Sequence, residues 1–254
     1  MTNFVNIQPQ LPLEHLASGG RIGLVALATD FNIESDLNRM YPDDVEFFTS
    51  RVRNYNPLTI ENLRRMAPGI SAATDNILPG TDLDAVIYAC TSATVAIGND
   101  NITSLIHKAR PGVKVTNPVT SAVAALETFN AKKVSVLTSY TEAVNHEIAR
   151  MFQENGYDVL NVAGFGFEDD TAMTDIQPKD IYDAAIQICA ADADLLFISC
   201  TALRASLVIE EIERKLGIPV ASSNQVLAWH SLRLVDYARP VNGFGRLLSD
   251  HLVK

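Results

Sequence analysis

Two stretches decide the fold of this chain: AVIYACTSATVA at residues 85–96 and LLFISCTALRA at residues 195–205. Each is an apolar run that ends on a cysteine, followed at once by a threonine and then by a helical pattern. Runs so rich in Val, Ile, Leu and Ala suit strands buried on both faces of a parallel sheet. Working outward, similar runs predict strands at 21–28, 44–50, 84–90, 114–116, 133–139, 158–164, 194–200 and 219–223. Helical spacing lies between them. Ala122, Ala125, Leu126 and Phe129 share one face, as do Ile181, Ala184, Ala185 and Ile188, and Ala205, Val208, Ile209, Ile212 and Leu216. Gly217 followed by Pro219 is a helix stop. Strands alternating with helices predict an α/β fold with parallel sheets.

The layout occurs twice, over residues 20–116 and again over 132–223. It predicts two pseudo-symmetric lobes, each a parallel sheet flanked by helices. The first covers 1–117 with 225–254 returning to it, and the second covers 118–224. NPVTSA at 117–122 marks the crossing. Ligands in such sheets bind beyond the carboxyl ends of the strands, where Cys90 and Cys200 both fall. The two thiols are therefore expected to meet in the cleft between the lobes.

Composition narrows the function. The chain has 254 residues, is 47% hydrophobic and carries a net charge of −10, which argues against sequence-independent nucleic-acid binding. No apolar run approaches the roughly 18 residues of a membrane span. The start, MTNFVNIQPQLPLEHL, has no basic region followed by an apolar one, so no signal peptide is expected. Three cysteines without a C-x-x-C pair argue against a zinc site or a disulfide framework, and free thiols without an export signal point to the cytoplasm. His15, His107, His146, His230 and His251 lack metal-ligand spacing. Gly164 and Gly166 lack the third glycine of a dinucleotide loop. There is no G-x-S-x-G for a hydrolase elbow. The expected chemistry uses no metal and no organic cofactor.

Two thiols across a cleft supply a base or nucleophile on one face of a small acid and a proton donor on the other. Helix N-termini after Cys90 and Cys200 are expected to lower the pKa of both. The hydroxyls of Thr91, Ser92 and Thr201, with neighbouring N–H groups, form a nest for a substrate carboxylate, and LTSYTEA at 137–143 adds Tyr140. Cys189 lies on a helix without a Thr or Ser follower and reads as inert. Trp229 reads as core, with His230 beside it. Asp169 and Asp170 in GFGFEDDTAM read as solvated loop carboxylates.

These residues resemble a family. YACTSAT, ISCTALR and GIPVASSNQVLAWHSLRL are similar to the aspartate/glutamate racemase superfamily, above all its maleate cis-trans isomerase and arylmalonate decarboxylase branch. The likeness covers roughly residues 20–235. It implies a two-lobed fold, a homodimer and cofactor-independent chemistry beside a carboxylate, with Cys90 and Cys200 catalytic and Thr91, Ser92, Tyr140 and Thr201 holding the substrate. The isomerases use one cysteine to add to a double bond and the other to handle a proton. The racemases exchange the α-proton between the two. The decarboxylases keep only the second cysteine, and this chain has both.

One departure bears on the substrate. The isomerases carry an Asn after the first strand, where this chain, in ALATDFNIESDL, carries Asp30. A carboxylate there would repel a dicarboxylate and suit a substrate with an ammonium or amidinium group. Asp30 also reads as the N-cap of the following helix, and the two roles are compatible. The ALATDF form is similar to members placed in ectoine and hydroxyectoine utilisation, whose substrates are amino or amidine acids. Two further readings stay open: a carbon–carbon lyase using Cys200 alone, and a small-acid binding protein without catalysis.

Overall fold

The computed structural model describes residues 2–14 and 17–252, so His15 lies outside the described residues. Eight strands form among them: β1 (Gly20–Leu27), β2 (Val45–Val52), β3 (Ala85–Ala89), β4 (Lys114–Thr116), β5 (Lys133–Tyr140), β6 (Asp158–Phe167), β7 (Leu195–Ser199) and β8 (Val220–Ser222). Each matches a run predicted from the sequence, all but β4 with shifted ends. They build two four-stranded sheets, ordered β2-β1-β3-β4 and β6-β5-β7-β8, in which every pairing is parallel. The second order is the first repeated four strands later. β3 and β7 therefore occupy equivalent interior places, and all five residues of each are buried. The α/β fold with two parallel sheets is that expected from the sequence.

Local chemistry fixes the connections. Asn117 caps the helix Pro118–Thr128, its side chain accepting from the amides of Val119 and Thr120. Gly217 ends the helix Ile209–Leu216 in the left-handed conformation, φ +77°. The strand expected to reach Ser223 stops at Ser222, because SSNQ closes a capping box. Ser222 accepts from the Gln225 amide while the Gln225 side chain accepts from the Ser222 amide. The helix Ser223–Leu234 so started runs through the core and packs on the helices Ile33–Met40 and Pro118–Thr128. Trp229 is buried on it, and its indole N–H donates to the His251 carbonyl at 3.0 Å. No helix among the described residues is long and apolar enough to cross a membrane.

Candidate active site

Cys90 and Cys200 directly follow β3 and β7. Both open onto one small cavity, lined also by Leu27, Thr29, Asp30, Thr91, Ser92, Tyr140, Asp170, Thr201 and Ala202. Every site residue expected from the sequence thus lies on one wall or another of the same space. The residual volume is about 10 Å3, about the room one water needs.

The two cysteines are held differently. Cys90 is the N-cap of the helix Thr91–Ile97, and its sulfur accepts from the Ala93 amide at 3.4 Å. Cys200 is followed by a turn and a three-residue 3-10 helix, Ala205–Leu207, so the helix expected to begin there starts only at Ile209. Its φ is +144°, a conformation that favours glycine and that costs about 1–3 kcal/mol in a residue with a side chain. Its N–H donates to Ser223 Oγ at 3.0 Å, and the Ser223 hydroxyl pairs with Thr91 Oγ1 at 2.8 Å. One hydroxyl thus ties together the turns that carry the two thiols.

Burial overturns the expectation of low thiol pKa. It pushes the Cys90 thiol well above its usual value, and the charges of Asp170 and Cys200 add to this against the Ala93 amide and Ser92. Burial also pushes Cys200 up, to about 11, opposed by hydrogen bonds from Ser139, the Ala202 amide and Tyr140. One or a few N–H and O–H donors do not match the loss of water around a fully enclosed thiolate. Cys189, half-buried at the end of the helix Pro178–Ile188, faces none of this cavity.

Asp30 is buried, with 5% of its surface exposed. Its Oδ1 accepts from the amides of Asn32 and Ile33 at 2.8 and 2.9 Å, so it satisfies the first amide of the helix Ile33–Met40, whose N-cap residue is Asn32 rather than the expected Asp30. Its Oδ2 accepts from the Thr201 hydroxyl at 2.8 Å. Burial raises its pKa, and the Arg51 charge opposes this. Arg51 is itself engaged by the carbonyls of Leu27 and Asp30 and by Glu34.

Asp170 departs from the solvated loop expected of it. Asp169 alone is exposed, capping the short helix Asp170–Thr174. Asp170 is only 8% exposed and faces the cavity, its Oδ2 accepting from Asn54 Nδ2 at 2.6 Å. Burial and the nearby Asp30 and Asp169 push its carboxyl up to about 6, against the Asn54 hydrogen bond. The segment before it is seated on the first lobe through the Leu58 amide, which donates to the Glu168 carbonyl at 2.7 Å.

A buried network stands behind Thr201. Asp36 is fully buried and accepts from Asn32 Nδ2 at 3.1 Å, Asn224 Nδ2 at 2.8 Å and Ser206 Oγ at 2.7 Å. Asn32 and Asn224 also donate to the Thr201 carbonyl, at 3.1 and 2.8 Å, and Asn32 to that of Leu203 at 3.0 Å. A carboxylate after β1 thereby holds the turn after β7. Asp36, Asn54, Asp170, Ser223 and Asn224 were not among the residues expected at the site. His230 does not reach the cavity and pairs with Thr116 Oγ1 at 2.8 Å.

Comparison with known proteins agrees with this architecture. The family model described as arylmalonate decarboxylase matches residues 22–248. The arylmalonate decarboxylase of Bordetella bronchiseptica is 25% identical over 249 residues, covering 92% of this chain and 98% of that protein. The maleate isomerase of Nocardia farcinica is 25% identical over 240 residues, covering 90% and 95%. Among solved structures, Nocardia farcinica maleate cis-trans isomerase with a covalently bound succinylcysteine intermediate superposes with a TM-score of 0.82 at 22% identity, over 90% of this chain and 98% of that one. A mutant arylmalonate decarboxylase in its liganded form gives a TM-score of 0.81 at 25% identity, over 91% and 99%. The chain belongs to the arylmalonate decarboxylase family, in the branch that includes the maleate isomerases.

Proposed function

We propose that this protein is a cofactor-independent isomerase or racemase that acts on carbon next to the carboxylate of a small acid through Cys90 and Cys200. The observation that carries the reading is that both thiols, at the ends of equivalent strands, open onto the same enclosed cavity. As a racemase, one thiolate takes the α-proton and the opposite thiol gives its proton to the carbanion, leaving the pair exchanged. As an isomerase, one thiolate adds to a double-bond carbon while the other thiol protonates its neighbour. Rotation about the new single bond and reversal return the proton and expel the thiolate. Thr91, Ser92 and Tyr140, which line the cavity, are the groups taken to hold the carboxylate; Thr201 lines it too but gives its hydroxyl proton to Asp30. The lobes are taken to divide at 117/118, with 225–254 belonging to the first. A substrate of the amino or amidine acid class, as in ectoine and hydroxyectoine breakdown, is supported by the acidic lining of the cavity, which holds Asp30 and Asp170 and, among the described residues, no basic side chain.

The test is deuterium uptake and isomer formation in heavy water across a panel of small amino, amidine and unsaturated acids. Deuterium at the carbon beside a carboxylate, lost when either cysteine is replaced, is the expected result. A decarboxylase using Cys200 alone is the second reading. On its side stands the richer set of donors to Cys200, from Ser139, the Ala202 amide and Tyr140. It requires carbon dioxide release that survives Cys90→Ala.

A further inference from the structure

Two carboxylates, Asp30 and Asp170, line the cavity that holds the thiols, whereas no Lys, Arg or His does so among the described residues. They are not equivalent. Asp30 is consumed by the fold: both its oxygens accept from the protein, three donors in all, and Arg51 lies close by. Asp170 is more than nine-tenths buried, and Asn54 is the side chain that donates to its carboxylate. No cation stands among the groups acting on it, which are Asn54, Asp30 and Asp169. A buried carboxylate with one neutral donor and two like-charged neighbours is costly to keep. The fold does not need it as a cap, since Asp169 does that work. A carboxylate so left in a site that otherwise offers thiols and hydroxyls is complementary to a positive group on the occupant.

We propose that Asp170, rather than Asp30, is the specificity-determining residue that receives an ammonium or amidinium group of the substrate, and that the site selects small zwitterionic acids over dicarboxylates. This rests on the two-cysteine reading above and names its substrate class. The hydroxyls of Thr91 and Ser92 take the carboxylate at one end of the cavity wall, that of Thr201 being given to Asp30, and Asp170 takes the cation. The cation has a second effect. Asp170 is one of the charges that hold both thiols protonated; a positive group beside it cancels that charge and favours thiolate formation only when the correct substrate is bound. A dicarboxylate would do the reverse.

The experiment measures binding by calorimetry at pH 7.5, where Asp170 is ionised. The probes are β-alanine and 4-aminobutyrate as zwitterionic acids and succinate as a dianion, each against the full-length protein and its D170N and D170S variants. The wild type is expected to bind one of the zwitterions at least about tenfold more tightly than succinate, the strength of one charge-assisted hydrogen bond. Both variants are expected to erase that preference by at least about tenfold, from weaker zwitterion binding and stronger succinate binding. Circular dichroism confirms their fold, and if a variant misfolds the wild-type preference decides alone. The proposal is overturned if succinate binds the wild type as tightly as either zwitterion, if no probe binds, or if folded D170N and D170S keep the wild-type ratio. The heavy-water test with cysteine variants touches no Asp170 variant, so loss of this proposal and loss of the two-cysteine reading are separate results.

Discussion

The Thr201 hydroxyl donates to the Asp30 carboxylate at 2.8 Å, joining the turn after β7 to the turn after β1. Because the other oxygen of Asp30 accepts two amides at the start of the helix Ile33–Met40, one residue both anchors the start of a helix and ties the two sheets' loops together. Asp30→Ala removes three hydrogen bonds and is expected to cost about 2–3 kcal/mol in urea unfolding. Thr201→Val, which removes one donor, is expected to cost about 1 kcal/mol. The double variant is expected to cost less than the sum, since the Thr201 bond is counted twice. Additive losses would contradict the coupling.

Asp170 is expected to weaken the folded protein at neutral pH. Burial and its acidic neighbours hold its carboxyl at about 6 in the folded protein, above the ordinary 3.8. A raised carboxyl favours folding below its unfolded pKa, and that contribution is lost as pH rises through the folded value. Asp170→Asn is therefore expected to match the wild type near pH 3.5. It should become the more stable form between about pH 4 and 6, by up to about 3 kcal/mol above that window. Thermal unfolding at pH 4 and pH 7.5 checks this, and a D170N protein less stable than wild type at pH 7.5 would contradict it.

Asp36 holds the Cys200 turn through Asn32, Asn224 and Ser206. Asp36→Ala removes an acceptor shared by three buried donors, of which Asn32 and Asn224 keep the Thr201 carbonyl while Ser206 loses its partner, and is expected to cost about 2–3 kcal/mol. Asp36→Asn, close in size, is expected to cost less. In Asp36→Asn, alkylation of Cys200 followed by mass spectrometry should change by several-fold, with Cys90 unaltered, because the network touches the turn after β7 and not Cys90. Equal changes at both cysteines would make the effect a general loosening.

Both thiols are expected to be protonated in the substrate-free protein at neutral pH, because burial raises both. Iodoacetamide labelling at pH 7.5 should be slow at each, and on raising the pH Cys200 should react first, with a midpoint at about 11. A midpoint below 8.5 at either cysteine in the absence of ligand would show that the helix N-terminus outweighs burial.

The sequence made the scaffold readable because its signals are local. Apolar runs ending on Cys90 and Cys200 mark buried strand ends, and Gly217 with Pro219 marks a helix stop. The paired motifs led to the cavity because equal motifs in equivalent strands must face each other in a repeated fold. Asp170 escaped for the opposite reason. GFGFEDDTAM is polar and reads as solvated, and its burial arises only when Asn54, Asn56 and Leu58 of the other lobe meet it. The thiol acidity was misjudged in the same way: a helix N-terminus is visible in sequence, whereas the depth of burial is not. Ser222 and Gln225 did carry a legible signal, the S-x-x-Q spacing of a capping box, which places Ser223 and Asn224 on a helix start facing Cys200 and Asp36.

The most direct test of the account is proton exchange in heavy water with Cys90→Ala and Cys200→Ala, each measured beside the wild type on the best acid from the panel. Two thiols acting as a pair predict that each variant loses exchange and isomerisation by at least about a thousandfold, within the range removed with an acid–base or nucleophilic group. A Cys90→Ala protein that keeps turnover would contradict the pair and leave the chemistry to Cys200 alone.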